Sequence, residues 1–140
     1  MYNISIPEIS KEELLARYER IKPVVKLEKK RYFLSKFSEK ELTGSSYLWM
    51  VEEKLSEEFD MTKYSPMPEH DFECLHKYGA PNFFKPSIGE VLAQIPDSVL
   101  DKVCAFEIIQ KPETEFDLHK NKIALANGFH TSTVRLYRKV

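Results

Sequence analysis

Phe129-His130-Thr131-Ser132-Thr133-Val134-Arg135-Leu136-Tyr137-Arg138-Lys139-Val140 is the stretch from which a fold can be built outward. His130, Ser132, Val134 and Leu136 alternate with Thr131, Thr133, Arg135 and Tyr137, and a repeat of two is the side-chain period of a β-strand. A strand needs partners. One is offered by Val24 to Phe37, where Val25, Leu27, Phe33 and Phe37 share odd positions, giving one long strand or a hairpin bent near Glu28-Lys29-Lys30. Another is Val103 to Ile109, a short apolar run broken only by Glu107, which reads as a buried strand; alternation turns Glu107 away from Phe106 and Ile108, and its bland reading is a charge on the exposed face of the sheet.

Helices fill the intervals. Ser10 and Glu13 form a capping box before Leu14, Leu15, Tyr18 and Ile21, which recur at helical spacing until Pro23. Ser38 and Glu41 make a second box, cut short by Gly44, and the small apolar patch Tyr47 to Val51 follows. Ser87 and Glu90 open a third helix through Val91, Leu92 and Ile95 to Pro96, with Asp97 able to cap a further turn to Lys102. Thr114 can cap a last helix over 115–127, ended by Asn127-Gly128. The rival is a hairpin turning at that same dipeptide. Between Ser56 and Pro86 the prolines at 66, 68, 81 and 86 forbid a long helix, because each ring removes a backbone donor, so loops and short strands are expected there. The pattern predicts an α+β fold, a small mixed or antiparallel sheet packed with three to four helices, with residues 1–140 forming a single compact domain.

Composition narrows the class. The 140 residues are 42% hydrophobic, 12% aromatic and 31% charged, which suits a folded chain rather than a disordered one. The uncharged stretch Leu42 to Val51 is ten residues long. A membrane-spanning helix needs about 20. Charges at Glu8, Lys11, Glu12 and Glu13 leave no apolar core for a secretory signal, so a cytoplasmic protein without membrane contact is expected. Cys74 and Cys104, thirty positions apart, form neither a disulfide framework nor a metal knuckle and are expected as reduced thiols.

Gly44, Gly79, Gly89 and Gly128 are too scattered to build a glycine-rich phosphate cradle, and no Gly-x-Ser-x-Gly elbow, paired-histidine zinc helix or calcium loop is present. No cofactor is expected. Three sets of residues remain as candidates. Tyr78, Phe83, Phe84 and Lys85, on a rigid aromatic turn, offer a protein-binding surface with His130 beside it, since rigid rings bury area at small entropic cost. The structural reading of the same rings is a staple under the following helix. Lys26, Lys29, Lys30, Arg31 and Lys36 belong to a segment, Arg17 to Lys40, with nine Lys/Arg against three Glu, interleaved with Tyr32, Phe33 and Phe37. Such a strand could track a nucleic-acid backbone and stack bases, although Glu41 to Asp60 compensates with six acids against Lys54 and the net charge is −1. His70, Cys74 and His76 would share one strand face with zinc-compatible donors, but at ~3.3 Å per residue they span about 20 Å and could meet one ion only around a bend. His119 and His130 with Glu107 or Cys104 could form an acid–base or nucleophile pair that no spacing demands.

The run Phe84-Lys85-Pro86-Ser87-Ile88-Gly89-Glu90-Val91-Leu92-Ala93-Gln94-Ile95-Pro96, with Ala105-Phe106-Glu107, Gly128-Phe129-His130 and Arg135-Leu136-Tyr137, resembles small uncharacterised proteins carried by bacterial phages and integrative mobile elements. The resemblance covers roughly the second half of the chain and transfers no catalytic residue. It implies an accessory role in a bacterial cytoplasm through binding a host or element protein. The expected function is therefore a non-enzymatic protein-interaction module, with nucleic-acid binding and a small metal-dependent enzyme as the alternatives.

Overall fold

A computed structural model describes residues 8–43, 54–77, 86–109 and 129–140. In chain order its elements are α1 (Lys11–Arg20), β1 (Lys22–Leu27), β2 (Lys30–Leu34), α2 (Glu39–Thr43), β3 (Leu55–Glu58), β4 (Tyr64–Pro66), a 3-10 turn (Pro68–His70), β5 (Phe72–Lys77), α3 (Ile88–Gln94), β6 (Ala105–Ile109) and β7 (Phe129–Lys139). The seven strands form one mixed sheet in the order β3-β2-β1-β6-β7-β4, with β5 also on β7. All pairs are antiparallel except β1 with β6.

This corrects the expected architecture. Among the described residues the molecule is mostly sheet, curled into a half-barrel, and only two helices of any length, α1 and α3, pack on it, α2 being five residues long. The expected last helix over 115–127, its hairpin rival and the apolar patch Tyr47 to Val51 lie outside the described residues.

Residues 129–139 are the axis of the sheet. One edge of β7 pairs with β6 over Thr133 to Tyr137, and the other pairs with β5 over Phe129 to Val134 and with β4 over Tyr137 to Lys139. β4 and β5 thus behave as one strand interrupted by the 3-10 turn, where Pro66 and Pro68 lack the donors a continuous ladder needs. The Met67 amide, donating to the Leu136 carbonyl at 2.9 Å, keeps the broken strand attached.

The curl follows from chain length. β3 and β4 stand at opposite ends of the strand order, yet only residues 59–63 join them. Six neighbouring strands laid flat put the two edges roughly 24 Å apart. The connection turns on itself, with the Lys63 amide bonded to the Asp60 carbonyl, so the sheet must bend to bring its edges together. Aromatic rings fill the bend: Phe33 of β2 meets Tyr64 of β4 at 5.5 Å, although three strands lie between them in the sheet. Phe59 stacks on Tyr64 at 4.5 Å and meets Phe33 and Tyr137 edge-on.

Strand alternation separates two faces. Val25, Leu34, Phe106, Val134 and Leu136 point to the convex side, where Leu14, Tyr18 and Ile21 of α1 and Ile88, Val91 and Leu92 of α3 close the main core. Val24, Phe59, Ala105 and Tyr137 point into the concave side as a smaller cluster. Ser87 and Glu90 form on α3 the complete capping box that the sequence predicts, whereas the expected Ser10–Glu13 box on α1 is half made: the Ser10 hydroxyl accepts from the Glu13 amide, but the Glu13 carboxylate binds Arg17 instead. Arg17 then fastens α1 to α3. It is buried, with Nε on Glu13 at 3.0 Å and Nη1 on the Leu92 carbonyl at 2.7 Å, one of the acceptors a helix C-terminus leaves open. The hairpin between β1 and β2 turns at Glu28, whose φ of 59° stands in the left-handed region that hairpin loops require and glycine adopts most easily.

A candidate anion-binding cleft on the concave face

The concave face has two ends of opposite character. At one, Glu107 of β6 is buried, 3% exposed, and accepts Arg31 Nε at 3.0 Å and the Tyr137 hydroxyl at 2.8 Å. Strand register puts these groups together: Glu107 lies opposite Arg135 and Val24, and Val24 opposite Phe33, two residues along β2 from Arg31. Arg135 binds Asp71 through two parallel bonds of 3.1 and 2.7 Å, and the Thr133 hydroxyl donates to Glu73 at 2.7 Å. Burial, reinforced by the Glu107 carboxylate, pushes the Tyr137 phenol well above its ordinary value. Glu107 is therefore not the exposed charge its sequence position suggested. It is turned away from Phe106 and Ile108 as alternation requires, but the curl makes that side an interior.

At the other end the half-barrel opens into a cleft of about 410 Å³. Phe33, Tyr64 and Cys104 contribute to its lining, and Arg20, Lys22, Lys36 and Lys139 bring positive charge from α1, β1, the segment after β2, and β7. Glu57 is the acid among the described lining residues. None of the four cations has a carboxylate within 4 Å among the described residues, and Lys22 Nζ lies 4.9 Å from the centre of the Tyr18 ring. This contact orients the Lys22 side chain without neutralising its charge. Burial raises the Cys104 thiol, and Lys139 only partly offsets this, so the sulfur is held as a thiol bonded to the Tyr137 carbonyl at 3.4 Å rather than as a nucleophilic thiolate. A second depression of about 440 Å³, lined by Thr62, Lys63, Tyr64, Lys139 and Val140, adjoins the cleft through the shared Tyr64 and Lys139.

The residues singled out from sequence are distributed widely. Tyr78, Phe83, Phe84 and Lys85 lie outside the described residues. His130 pairs with His76 in the β5–β7 ladder, and its side chain is likewise not described. The basic set is divided. Lys26 and Arg31 face each other across the hairpin, but Arg31 is neutralised by Glu107. Lys29 is exposed in the turn, Lys30 is 3.9 Å from Glu58, and Lys36 alone of the five reaches the cleft. His70 sits on the 3-10 turn with Glu69 at 3.9 Å, while Cys74 and His76 are wholly buried on β5. Burial drives the Cys74 thiol far up, and His76 Nε2 is 3.0 Å from Ser132 Oγ. Among the described residues no three of His, Cys, Asp and Glu are grouped closely enough to hold a metal ion. His119 lies outside the described residues, and Glu107 and Cys104 are committed to the concave face as above.

Arg20, Lys22, Tyr64 and Lys139 were not foreseen as site residues. The first two lie in the basic segment 17–40, a usable signal. Lys139 and Tyr64 lie far from that segment in the chain, and β7 and β4 bring them to the same wall. No described helix is long and apolar enough to cross a membrane. No protein family, curated protein or solved structure matches this chain, and its function is read from the geometry of the cleft.

Proposed function

We propose that this chain is a non-enzymatic binding module that takes an anionic partner at the open end of its half-barrel. One observation carries the reading: Arg17, Arg31 and Arg135 are each neutralised by carboxylates, whereas Arg20, Lys22, Lys36 and Lys139 gather around one cleft without such partners among the described residues. Like charges held together repel, and an anion relieves that repulsion. Among the described residues the cleft offers no activated nucleophile, since Cys104 is held as a thiol and no histidine is among the described lining residues. Binding without chemistry is also in keeping with the accessory role that the resemblance implies.

With a net charge of −1, the protein can be retained on immobilised heparin only through a local patch. The wild type is expected to bind at low salt and elute as salt rises. The double variant Lys36→Glu/Lys139→Glu should elute earlier, with an unchanged circular dichroism spectrum. The charge-matched control Lys26→Glu/Lys29→Glu should elute with the wild type. Equal effects of the two variants, or no retention of the wild type, would reject the cleft as an anion site.

A further inference from the structure

We infer that the anionic partner is single-stranded nucleic acid, laid across the Tyr64 ring with its bases against the aromatic floor and its phosphates on the lysines. This rests on the anion-binding reading above and narrows it. A small inorganic anion needs one pocket and no rings. Here two depressions of about 410 and 440 Å³ stand side by side, joined at Tyr64 and Lys139, which suits a ligand that repeats along its length. Each volume is within the 300–1,000 Å³ common for small-molecule sites, so each accommodates about one nucleotide unit.

The charges follow the same line. Arg20, Lys22 and Lys36 surround the first depression, Lys63 lies at the second, and Lys139 stands between them. Among the described residues Glu57 is the acid on the wall of the first, and Asp60, next to the track in sequence, has its Oδ1 held by the Thr62 amide at 2.9 Å and hydroxyl at 2.7 Å. Tyr64 is half-buried and steadied by its stack on Phe59, so its ring is oriented before any ligand arrives. Stacking on a fixed ring is indifferent to base identity because every base has a π-face. An acidic peptide without aromatic side chains would use the lysines and leave the rings idle. A duplex keeps its bases paired and stacked, out of reach of a ring set in a concave floor.

Fluorescence anisotropy with a labelled short oligothymidylate, an abasic strand of equal length and the matching duplex tests this on the unmodified protein. The base-bearing strand should bind at least about tenfold more tightly than the abasic one, the effect of a single stacked base. It should also bind more tightly than the duplex. Tyr64→Leu, which keeps apolar bulk over Phe59, should bring the thymidylate down to the abasic level with an unchanged circular dichroism spectrum. Lys139→Gln should lower the log–log salt slope by about 0.7, the contribution of one phosphate contact on a single strand. Equal binding of abasic and base-bearing strands, or a duplex bound as tightly as the strand, overturns the inference and leaves the anion site standing. Absence of both heparin retention and strand binding overturns the two together. Should Tyr64→Leu fail to fold, the abasic comparison on the wild type still decides.

Discussion

The two ends of the concave face carry the same kinds of side chain and use them in opposite ways. At the Glu107 end, Arg31, Arg135, Asp71 and Tyr137 are tied into short, largely buried contacts that close the half-barrel. At the Cys104 end, Arg20, Lys22, Lys36 and Lys139 surround a cleft with ring surface at its base and no carboxylate partners among the described residues. Positive charge on this fold is structural where the curl buries it and open to solvent where the sheet parts. Position along the strands decides between the two, and residue type does not: Arg31 and Phe33, two residues apart on β2, fall on either side of the boundary.

Removing one charge from each end separates the two roles by the largest expected effect. Glu107→Ala leaves Arg31 and the Tyr137 hydroxyl without their acceptor in the interior, and the loss should be about 3 kcal/mol, as for a buried pair stripped of one partner. Lys139→Ala should cost less than about 0.5 kcal/mol, as is usual at exposed positions. Urea unfolding midpoints measure both. Comparable losses would mean that the open end is also part of the scaffold.

A smaller effect sharpens the account of the closed end. The Tyr137 phenol is raised above its ordinary 10.0 in the folded protein, so the unfolded chain gives up its proton first as the solution becomes alkaline. The stability held by the neutral phenol is fully present below that ordinary value and falls as pH climbs from it toward the folded value. Tyr137→Phe should lose about 1 kcal/mol near neutrality, the usual worth of a hydrogen bond, and should show a flatter decline in stability above pH 10 than the wild type. An identical alkaline slope in both proteins would show that Glu107 and burial do not hold the phenol neutral.

How far the sequence reaches depends on the range of the interaction that writes the structure. Ser10, Pro23, Ser87 and Glu90 act on their own neighbours within one or two turns, and the helix ends they imply are where they should be. β7 is equally legible, because period-two alternation is a local pattern. The extent of the sheet is not. β3 is Leu55-Ser56-Glu57-Glu58, with one apolar residue, and β4 is three residues ending in Pro66, so neither carries an alternation to detect. The curl depends on Phe33, Phe59, Tyr64 and Tyr137 meeting from four separate segments, a coincidence that local spacing does not encode. Glu107 faces an interior because the sheet curls; on a flat sheet the same side chain would face solvent. The site was half legible for the same reason: the basic run 17–40 contains Arg20, Lys22 and Lys36, while Tyr64 and Lys139 join them only through strand pairing.

Nitrogen–proton correlation spectra recorded while a short oligothymidylate is titrated into the labelled protein test the division between the two ends most directly. The account predicts that the amides of Arg20, Lys22, Lys36, Tyr64 and Lys139 shift together with added strand, while those of Arg31, Glu107 and Arg135 stay in place. Shifts gathered at Arg31, Glu107 and Arg135, or at Tyr78 to Lys85 with the cleft silent, would contradict it.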